Sequence, residues 1–276
     1  MRLIRVFPRI IPTTTPRDEL ARFNLPSKAD EADAVHVSVT FTYDLPAAEV
    51  LAKAWQYVAP VTIGGPAVNS RGEDFIPGRY LKHGYTITSR GCPNRCWFCS
   101  VWRREGGTVR ELPIMDGHNI LDDNLLACSE THIRAVFAML ARQKQRPEFT
   151  GGIEAKILQP WHAEEMRKLK PKSVFFAYDT PDDYEPLRQA SRIMLEAGHT
   201  ETSHVMRAYV LCGHQKDDMA SADKRMYQCL DLGMMPMAML YRDYSGKTGR
   251  VWRQWARTWI RTEIVQSKRK QKGTPT

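Results

Sequence analysis

The chain has 276 residues, of which 42% are hydrophobic, and a formal net charge of +9. This apolar content can fill a substantial core, which excludes wholesale disorder and a peptide-like scaffold. No apolar run approaches the roughly 20 residues that a membrane span requires, and Pro8 interrupts the N-terminus before a secretory signal forms. We therefore expect a cytoplasmic protein without a membrane partner.

The first 78 residues divide into an arm and a small β-α-β unit. Four prolines within residues 1–30 predict an irregular arm. Alternating apolar residues predict a strand at 35–43, a helical pattern follows at 47–57, and a second short strand at 61–63 precedes Gly64 and Gly65. We expect these elements to form an N-terminal annex to the domain that follows.

Three of the six cysteines, Cys92, Cys96 and Cys99, lie within eight residues, which points to a shared role. A disulfide framework would leave one of the three thiols unpaired. Structural zinc normally takes four ligands in two clips, and neither His83 nor His118 supplies a second clip. A cubane iron–sulfur cluster with three thiolate ligands would leave one iron open to a substrate. Metal ligation is therefore the favoured interpretation.

The run from Gly91 to Cys99 has the spacing C-x3-C-x2-C, with Phe98 directly before the last cysteine. In this respect the chain resembles the radical SAM (S-adenosylmethionine) superfamily. The resemblance implies that Cys92, Cys96 and Cys99 hold a [4Fe-4S] cluster whose fourth iron is chelated by SAM. An electron from a flavodoxin- or ferredoxin-like donor would then cleave SAM and generate a 5'-deoxyadenosyl radical, which abstracts hydrogen from a substrate.

Alternating strands and helices surround and follow the cysteines. The pattern predicts strands at 85–88, 119–121, 149–153, 173–178, 205–212 and 235–241. It predicts intervening helices at 129–143, 161–169, 184–197 and 219–232. This order fits the partial (β/α)6, TIM-like parallel barrel that the resemblance implies. We therefore predict an α/β fold with the annex at 1–78, the barrel at 79–265 and a flexible basic tail at 266–276.

Polar residues follow several predicted strands, and chemistry in parallel barrels gathers at the C-terminal strand ends. This rule nominates a group of residues after the second to fifth strands: Asp122, Asp123, Asn124, Gly151, Gly152, Glu154, Asp179, Gly213 and His214. For each acid, the alternative is a helix cap or a surface ion pair. The strand ends are therefore the predicted ligand-binding edge.

The resemblance assigns roles to some of these residues. Asp122, Asp123 and Asn124 stand where the family contacts the SAM amino group, in a form similar to the cobalamin-associated branch. Glu154 would meet the SAM ribose or the substrate, and Gly213 would lie near the adenine. The annex resembles the last fragment of that branch's cobalamin-binding domain, but the D-x-H-x-x-G loop is missing, so we do not expect cobalamin.

The other cysteines have no clip spacing. Cys128 and Cys229 are predicted to be small core residues. Cys212, near a strand end, is predicted mainly to pack, with hydrogen donation to a radical intermediate as the alternative. Tyr241, at the end of the sixth strand, is a second candidate for a catalytic role.

The positive charge is concentrated in residues 250–276, which carry a net +7. A final predicted helix places three tryptophans on one side and four arginines on the other: Trp252, Trp255, Trp259, Arg250, Arg253, Arg257 and Arg261. Tryptophans that seal the barrel and arginines that face water are the favoured interpretation. A ridge that contacts RNA or DNA phosphates, together with the tail, is the alternative.

These observations predict a radical SAM enzyme that acts on an unidentified substrate. One alternative is an RNA- or tRNA-modifying radical SAM enzyme that uses the basic C-terminal helix. An alternative of a different class is a zinc-stabilised nucleic-acid-binding module. The metal content distinguishes the last of these from the first two, because a zinc module would bind one zinc and no SAM.

Overall fold

The structure is a computed structural model that describes residues 1–259, 265, 267 and 268. Most of the predicted tail at 266–276, and Arg261 of the last predicted helix, lie outside the described residues. The chain divides into two compact units, the first made of Met1–Gly117 with Tyr244–Gly246. The second unit comprises His118–Asp243 and the described residues from Lys247 onward. The division thus falls after Gly117, whereas the sequence predicted a boundary after residue 78.

The first unit contains a four-stranded parallel sheet. Its strands are β1 (Leu3–Val6), β2 (Ala21–Arg22), β3 (Ala34–Ser38) and β4 (Val61–Gly64), in the order β2-β1-β3-β4. Helix α1 (Leu45–Trp55) follows β3. The core of this unit includes Ile4, Val35 and Trp55, all fully buried, and the Trp55 indole donates a hydrogen bond to the Asn24 carbonyl (3.0 Å). The predicted β-α-β unit is therefore present.

The prediction of an irregular N-terminal arm was wrong, because β1 and β2 lie within it. Arg5 interrupts the apolar run of β1 and hides the strand in the sequence. Its side chain is nevertheless buried and donates to the carbonyls of Gly78 (2.7 Å) and Arg79 (2.8 Å) while pairing with Asp18. These partners bind the two terminal nitrogens of the guanidinium, whereas its buried Nε has no hydrogen-bond partner among the described residues. Local sequence does not explain this buried charge.

The predicted strand at 35–43 is also too long, since β3 ends at Ser38. Residues Thr42–Asp44 form a 3-10 turn instead, and the rings of Phe41 and Tyr43 stack at 5.1 Å. The buried Asp44 carboxylate in this turn receives two 2.7 Å hydrogen bonds from the Arg9 guanidinium. Aromatic packing and this ion pair therefore stabilise a turn where the alternation of apolar residues predicted a continued strand.

The remainder of the first unit carries the cysteines. It contains β5 (Tyr85–Thr86), β6 (Ser89–Arg90), the short helix α2 (Val101–Arg104) and β7 (Arg110–Glu111). Strands β6 and β7 pair in antiparallel fashion. The strand predicted at 85–88 is thus shorter than expected, and the cysteines lie in the loop between β6 and α2.

The second unit is built on five parallel strands in the order β12-β11-β10-β9-β8. They are β8 (Asn119–Ile120), β9 (Glu148–Ile153), β10 (Ser173–Tyr178), β11 (Met206–Cys212) and β12 (Met235–Leu240). The helices are α3 (Glu130–Ala141), α4 (Pro160–Leu169), α5 (Tyr184–Glu196), α6 (Met219–Asp231) and α7 (Arg250–Arg257). The predicted parallel α/β organisation is confirmed here, and most boundaries agree within two residues.

Local chemistry explains these elements. The Ser129 hydroxyl accepts from the His132 amide at the start of α3, and the Asp218 carboxylate accepts from the Ser221 amide at the start of α6. Strand β11 alternates buried and half-buried residues along its length. Because all five strands are parallel, their C-terminal ends share one edge of the sheet. None of the described helices is long and apolar enough to cross a membrane.

Helix α7 and the residues after it have the predicted amphipathic character. Trp255 and Trp259 are buried, and both indole groups donate 2.9 Å hydrogen bonds to one carboxylate oxygen of Asp223 in α6. Arg250, Arg253 and Arg257 are exposed. The burial of Trp255 and Trp259 and the exposure of the arginines agree with the predicted placement of the two residue types. That the tryptophans seal a barrel stays a prediction.

Candidate cofactor site

The cysteine loop of the first unit is closed by Gly91. This residue has a φ of +92°, and a Cβ atom placed on it would lie 2.2 Å from the Thr108 carbonyl oxygen. The following amide, that of Cys92, donates to the Gly106 carbonyl at 3.4 Å. Only glycine combines this conformation with so close a backbone approach. Gly91 thus brings the first cysteine against the segment that follows α2.

The three cysteines are half-buried. The Cys99 amide donates to the Cys96 carbonyl (3.2 Å), and the Trp102 indole donates to the same carbonyl (3.1 Å). Phe98, also half-buried, contacts the exposed Trp97 edge to face with ring centroids 5.4 Å apart. Cys96 and Cys99 therefore lie in one hydrogen-bonded turn that an aromatic side chain braces.

Glu105 anchors the end of this segment. Its buried carboxylate accepts from the Gly72 amide (3.0 Å) and from the Arg104 guanidinium (2.9 Å). Burial alone would raise the pKa of Glu105, but the hydrogen bonds from Arg104 and Gly72 lower it below the usual range for glutamate. A charged carboxylate therefore ties α2 to a distant part of the first unit.

The donor set of the loop fits an iron–sulfur cluster in chemistry. Three thiols lie on one loop, and each is partly accessible. Among the described residues, no three Cys, His, Asp or Glu side chains lie in an arrangement that could hold a metal ion. Loading of a cluster would therefore require the side chains of Cys92, Cys96 and Cys99 to turn toward a common centre.

Substitution of Gly91 by alanine is expected to disrupt the loop, because the new methyl group would meet the Thr108 carbonyl and the backbone conformation would be strained. We expect Gly91→Ala to lower the free energy of unfolding by at least about 1 kcal/mol and to reduce iron uptake. Gly107→Ala is the control, since a Cβ at Gly107 meets nothing within 4 Å and its φ is ordinary. Urea denaturation and iron analysis measure both effects; equal behaviour of the two variants would contradict the expectation.

The second unit brings together predicted residues from two neighbouring strand ends. Asp122 and Asn124, after β8, are buried, and the Asn124 amide donates a 2.6 Å hydrogen bond to the Glu154 carboxylate after β9. Asp123 between them is half-buried. A Cβ on Gly151 would lie 2.2 Å from the Asp122 carbonyl oxygen, so this glycine permits close approach of the two strand ends. The structure therefore joins two predicted strand ends through a hydrogen bond that the sequence did not indicate.

A buried ion pair at the end of β11 was missed in the sequence. The Asp217 carboxylate accepts 2.8 Å hydrogen bonds from the Gly213 amide and from the Arg225 guanidinium, which also donates to the Leu211 carbonyl (2.9 Å). Both charged side chains are almost fully buried. Asp217 and Arg225 lie eight residues apart, in the loop and the following helix, and no motif links them in the sequence. They fix the loop that contains Gly213.

Gly213 itself is covered by an aromatic ring. It has a φ of +79°, and a Cβ there would lie 3.0 Å from the ring of Trp252 in α7. The sequence pattern indicates only a packing role for Trp252 in the last helix. Its ring therefore belongs to the same strand end as the glycine predicted to approach adenine.

Asp179, at the end of β10, has an unusually high pKa for an aspartate. Burial and the nearby charge of Asp183 raise the pKa of Asp179 to about 7. The capping box of the next turn is formed by Thr180 and Asp183, so Asp179 is not the cap that the sequence allowed as an alternative. A carboxyl group that titrates near neutrality at a strand end is a candidate for proton transfer.

The raised pKa of Asp179 predicts a pH dependence of stability. Its protonated form is favoured in the folded state, so the contribution to stability is fully present below the ordinary aspartate pKa and is lost as the pH rises through about 7. We expect Asp179→Asn to make the melting temperature fall less than that of the wild type between pH 4.5 and 7.5. The control is Asp182→Asn, at an exposed neighbouring position, and identical profiles for the wild type and Asp179→Asn would contradict the assignment.

The two catalytic candidates lie at the ends of adjacent strands: Cys212 is the last residue of β11, and Tyr241 directly follows β12. The Tyr241 amide donates to the Cys212 carbonyl at 2.7 Å. The side chain of Cys212 is fully buried, and burial raises the pKa of its thiol to about 12, so the thiol keeps its proton. Cys229 is buried as predicted, whereas Cys128 is half-buried and not the core residue that we expected. A catalytic role for Cys212 or Tyr241 stays a prediction.

No protein-family model matches the chain, and no curated protein sequence matches it.

Proposed function

We propose that this protein is a radical SAM enzyme. The observation that carries the proposal is the loop of Cys92, Cys96 and Cys99, with three partly accessible thiols at the family spacing and a glycine closure ahead of them. When bound there, a [4Fe-4S] cluster supplies the electron that cleaves SAM reductively. In this proposal the parallel strands belong to a partial (β/α)6 barrel.

Residues at the strand ends of the second unit also support the proposal. Asp122 and Asn124 supply polar groups at the end of β8, where the resemblance assigns contacts to the SAM amino group. The hydrogen bond from Asn124 orients the Glu154 carboxylate, which is the acceptor assigned to ribose or substrate hydroxyls. Asp179, half-protonated near pH 7, can give or take a proton at its carboxylate oxygens.

Anaerobic reconstitution tests the reaction class. The full-length chain, incubated with iron and sulfide, should retain about four irons per chain, and reduction by dithionite in the presence of SAM should yield 5'-deoxyadenosine. Absence of that product from an intact, reduced cluster would overturn the proposal. One bound zinc without a chromophore or SAM affinity would instead support the zinc-stabilised nucleic-acid-binding module.

The RNA-modifying alternative draws on the exposed face of α7. Arg250, Arg253 and Arg257 carry positive charge there, and arginine contacts phosphates without reading base sequence. Deletion of 266–276 should weaken RNA binding and flatten its salt dependence if RNA is the substrate. A small-molecule or peptide substrate would make the enzyme indifferent to that deletion.

A further inference from the structure

A cavity of about 630 Å³ lies within the second unit, at the edge of the sheet opposite to the strand ends described above. Its walls come from the C-terminal ends of α3 and α4, the segment after α5, and the residues that lead into β9, β10 and β11. Pro147, Pro171 and Val205 stand directly before or close to these strand starts. The cavity is therefore separate from the edge that carries Asp122, Glu154 and Asp179.

The lining of this cavity is strongly cationic. Five basic residues face it: Lys144, Arg146, Arg167, Lys168 and Lys170. Among the described residues that line it, none is an aspartate or a glutamate. Lys168 pairs with Glu165 one turn earlier in α4, but the described part of the chain shows no ion pair for the other four. Several like charges close together favour a multivalent anion as the occupant.

The two arginines are held in place by neutral groups. Arg146 donates to the carbonyls of Lys170 (2.9 Å) and Pro171 (2.7 Å), and Arg167 donates to the carbonyl of Gly198 (2.9 Å). Carbonyl acceptors orient each guanidinium but do not neutralise its charge. Each arginine has five N–H donors, so donors remain beyond those these bonds use. Such fixed, charged groups bind phosphate oxygens with a small entropic cost.

Apolar side chains also line the cavity, alongside the polar ones. Leu140, Leu169 and Val205 are among them, and Nε2 of the buried His199 donates a 3.2 Å hydrogen bond to the Ala163 carbonyl. Burial lowers the pKa of His199, which keeps this ring neutral. A volume of about 630 Å³ lies within the range of small-molecule sites. Apolar side chains next to several cationic ones suit a ligand that joins an organic group to phosphates.

We infer that this cavity binds a nucleotide-sized phosphate ester, with the phosphates on Lys144, Arg146, Arg167 and Lys170. The inference does not depend on the proposed radical SAM activity, because the cavity lies at the other edge of the sheet. Occupancy there would give the second unit a ligand site additional to the cofactor site.

Titration of the full-length protein with ADP tests the inference, with adenosine and inorganic pyrophosphate as companion probes. We expect saturable binding of ADP, weaker binding of pyrophosphate and none of adenosine, by isothermal titration calorimetry. The double variant Lys144→Ala with Lys170→Asn should weaken ADP binding about tenfold or more, because it removes two charge-assisted contacts to the phosphates. Asparagine is chosen because Lys170 has a φ of +51°, which asparagine tolerates.

The matched control is Lys53→Ala with Lys224→Asn, which removes the same charge from exposed positions outside the cavity. This control should bind ADP as the wild type does, and both doubles should keep the wild-type melting temperature without ligand. Lack of saturable ADP binding, or an equal loss in the two doubles, would overturn the inference. Tight binding of a single-stranded RNA that ADP does not displace would also overturn it, in favour of a nonspecific polyanion surface.

Discussion

Replacement of Cys92, Cys96 or Cys99 by alanine is expected to abolish formation of 5'-deoxyadenosine from SAM. Each substitution removes one of three thiolates, and a cluster that depends on three protein ligands loses its attachment when any one is missing. We expect each single variant to fall to the level of a reaction without enzyme and to lose most of its iron. Iron analysis and mass spectrometry of the nucleoside product measure the two effects.

Cys128→Ala is the matched control for this series. Cys128 is half-buried like the three loop cysteines, but it lies outside the loop, before α3. We expect this variant to retain about four irons per chain and to form the product. Full iron content in any of the three loop variants would show that the removed cysteine is not a ligand and would contradict the assignment.

Asp217→Asn is expected to cause a large loss of stability in the second unit. The change leaves the buried Arg225 guanidinium without its carboxylate partner, although neutral acceptors such as the Leu211 carbonyl remain. Removal of one member of a buried ion pair costs about 3 to 5 kcal/mol, because the other charge stays buried without compensation. Urea denaturation followed by circular dichroism measures this change in the free energy of unfolding.

The neighbouring Asp218→Asn substitution is the control for that experiment. The exposed Asp218 caps α6 through a 2.7 Å hydrogen bond from the Ser221 amide, and asparagine caps helices about as well as aspartate. We therefore expect a much smaller change in the free energy of unfolding. If Asp217→Asn proves as mild as Asp218→Asn, the buried pair does not contribute as the geometry indicates. Arg225→Met combined with Asp217→Asn should restore part of the lost stability.

The elements of the second unit were predictable because their periodicities are strong. Strand β10 is a continuous run of mostly apolar residues between polar segments, and its predicted bounds of 173–178 agree with the structure. Helix α3 combines a serine cap with apolar residues at helical spacing, so its type and start were also readable. These signals are local, so they can be recognised in the sequence without knowledge of the tertiary contacts.

The elements that were missed depend on distant partners. Strand β1 contains Arg5, whose burial is explained by Asp18 and by the carbonyls of Gly78 and Arg79, more than 70 residues away. The Asp217 and Arg225 pair has no recognisable spacing, and each residue alone is typical of a solvated surface. Tertiary contacts stabilise both β1 and this ion pair, and neither composition nor periodicity reveals such contacts.

The candidate site could be predicted in part, because some of its features are local patterns in the sequence. The cysteine spacing and the strand-end acids are local patterns, and the contact of Asn124 with Glu154 follows from the pairing of neighbouring parallel strands. The raised pKa of Asp179 depends on burial and on Asp183, and the position of Trp252 over Gly213 depends on how α7 packs. These features became visible only with the fold.

Tyr244–Gly246 belong to the first unit although they lie late in the chain, and this affects the order in which the protein folds during translation. The Thr42 hydroxyl donates to the Tyr244 carbonyl at 2.7 Å, and Gly246 lies so close to the ring of Tyr43 that a Cβ there would be 2.3 Å from it. Domains generally fold as the ribosome releases them, N-terminal part first. In this chain, however, Tyr244–Gly246 are synthesised only after most of the second unit. The first unit therefore completes its native contacts only when translation is nearly finished.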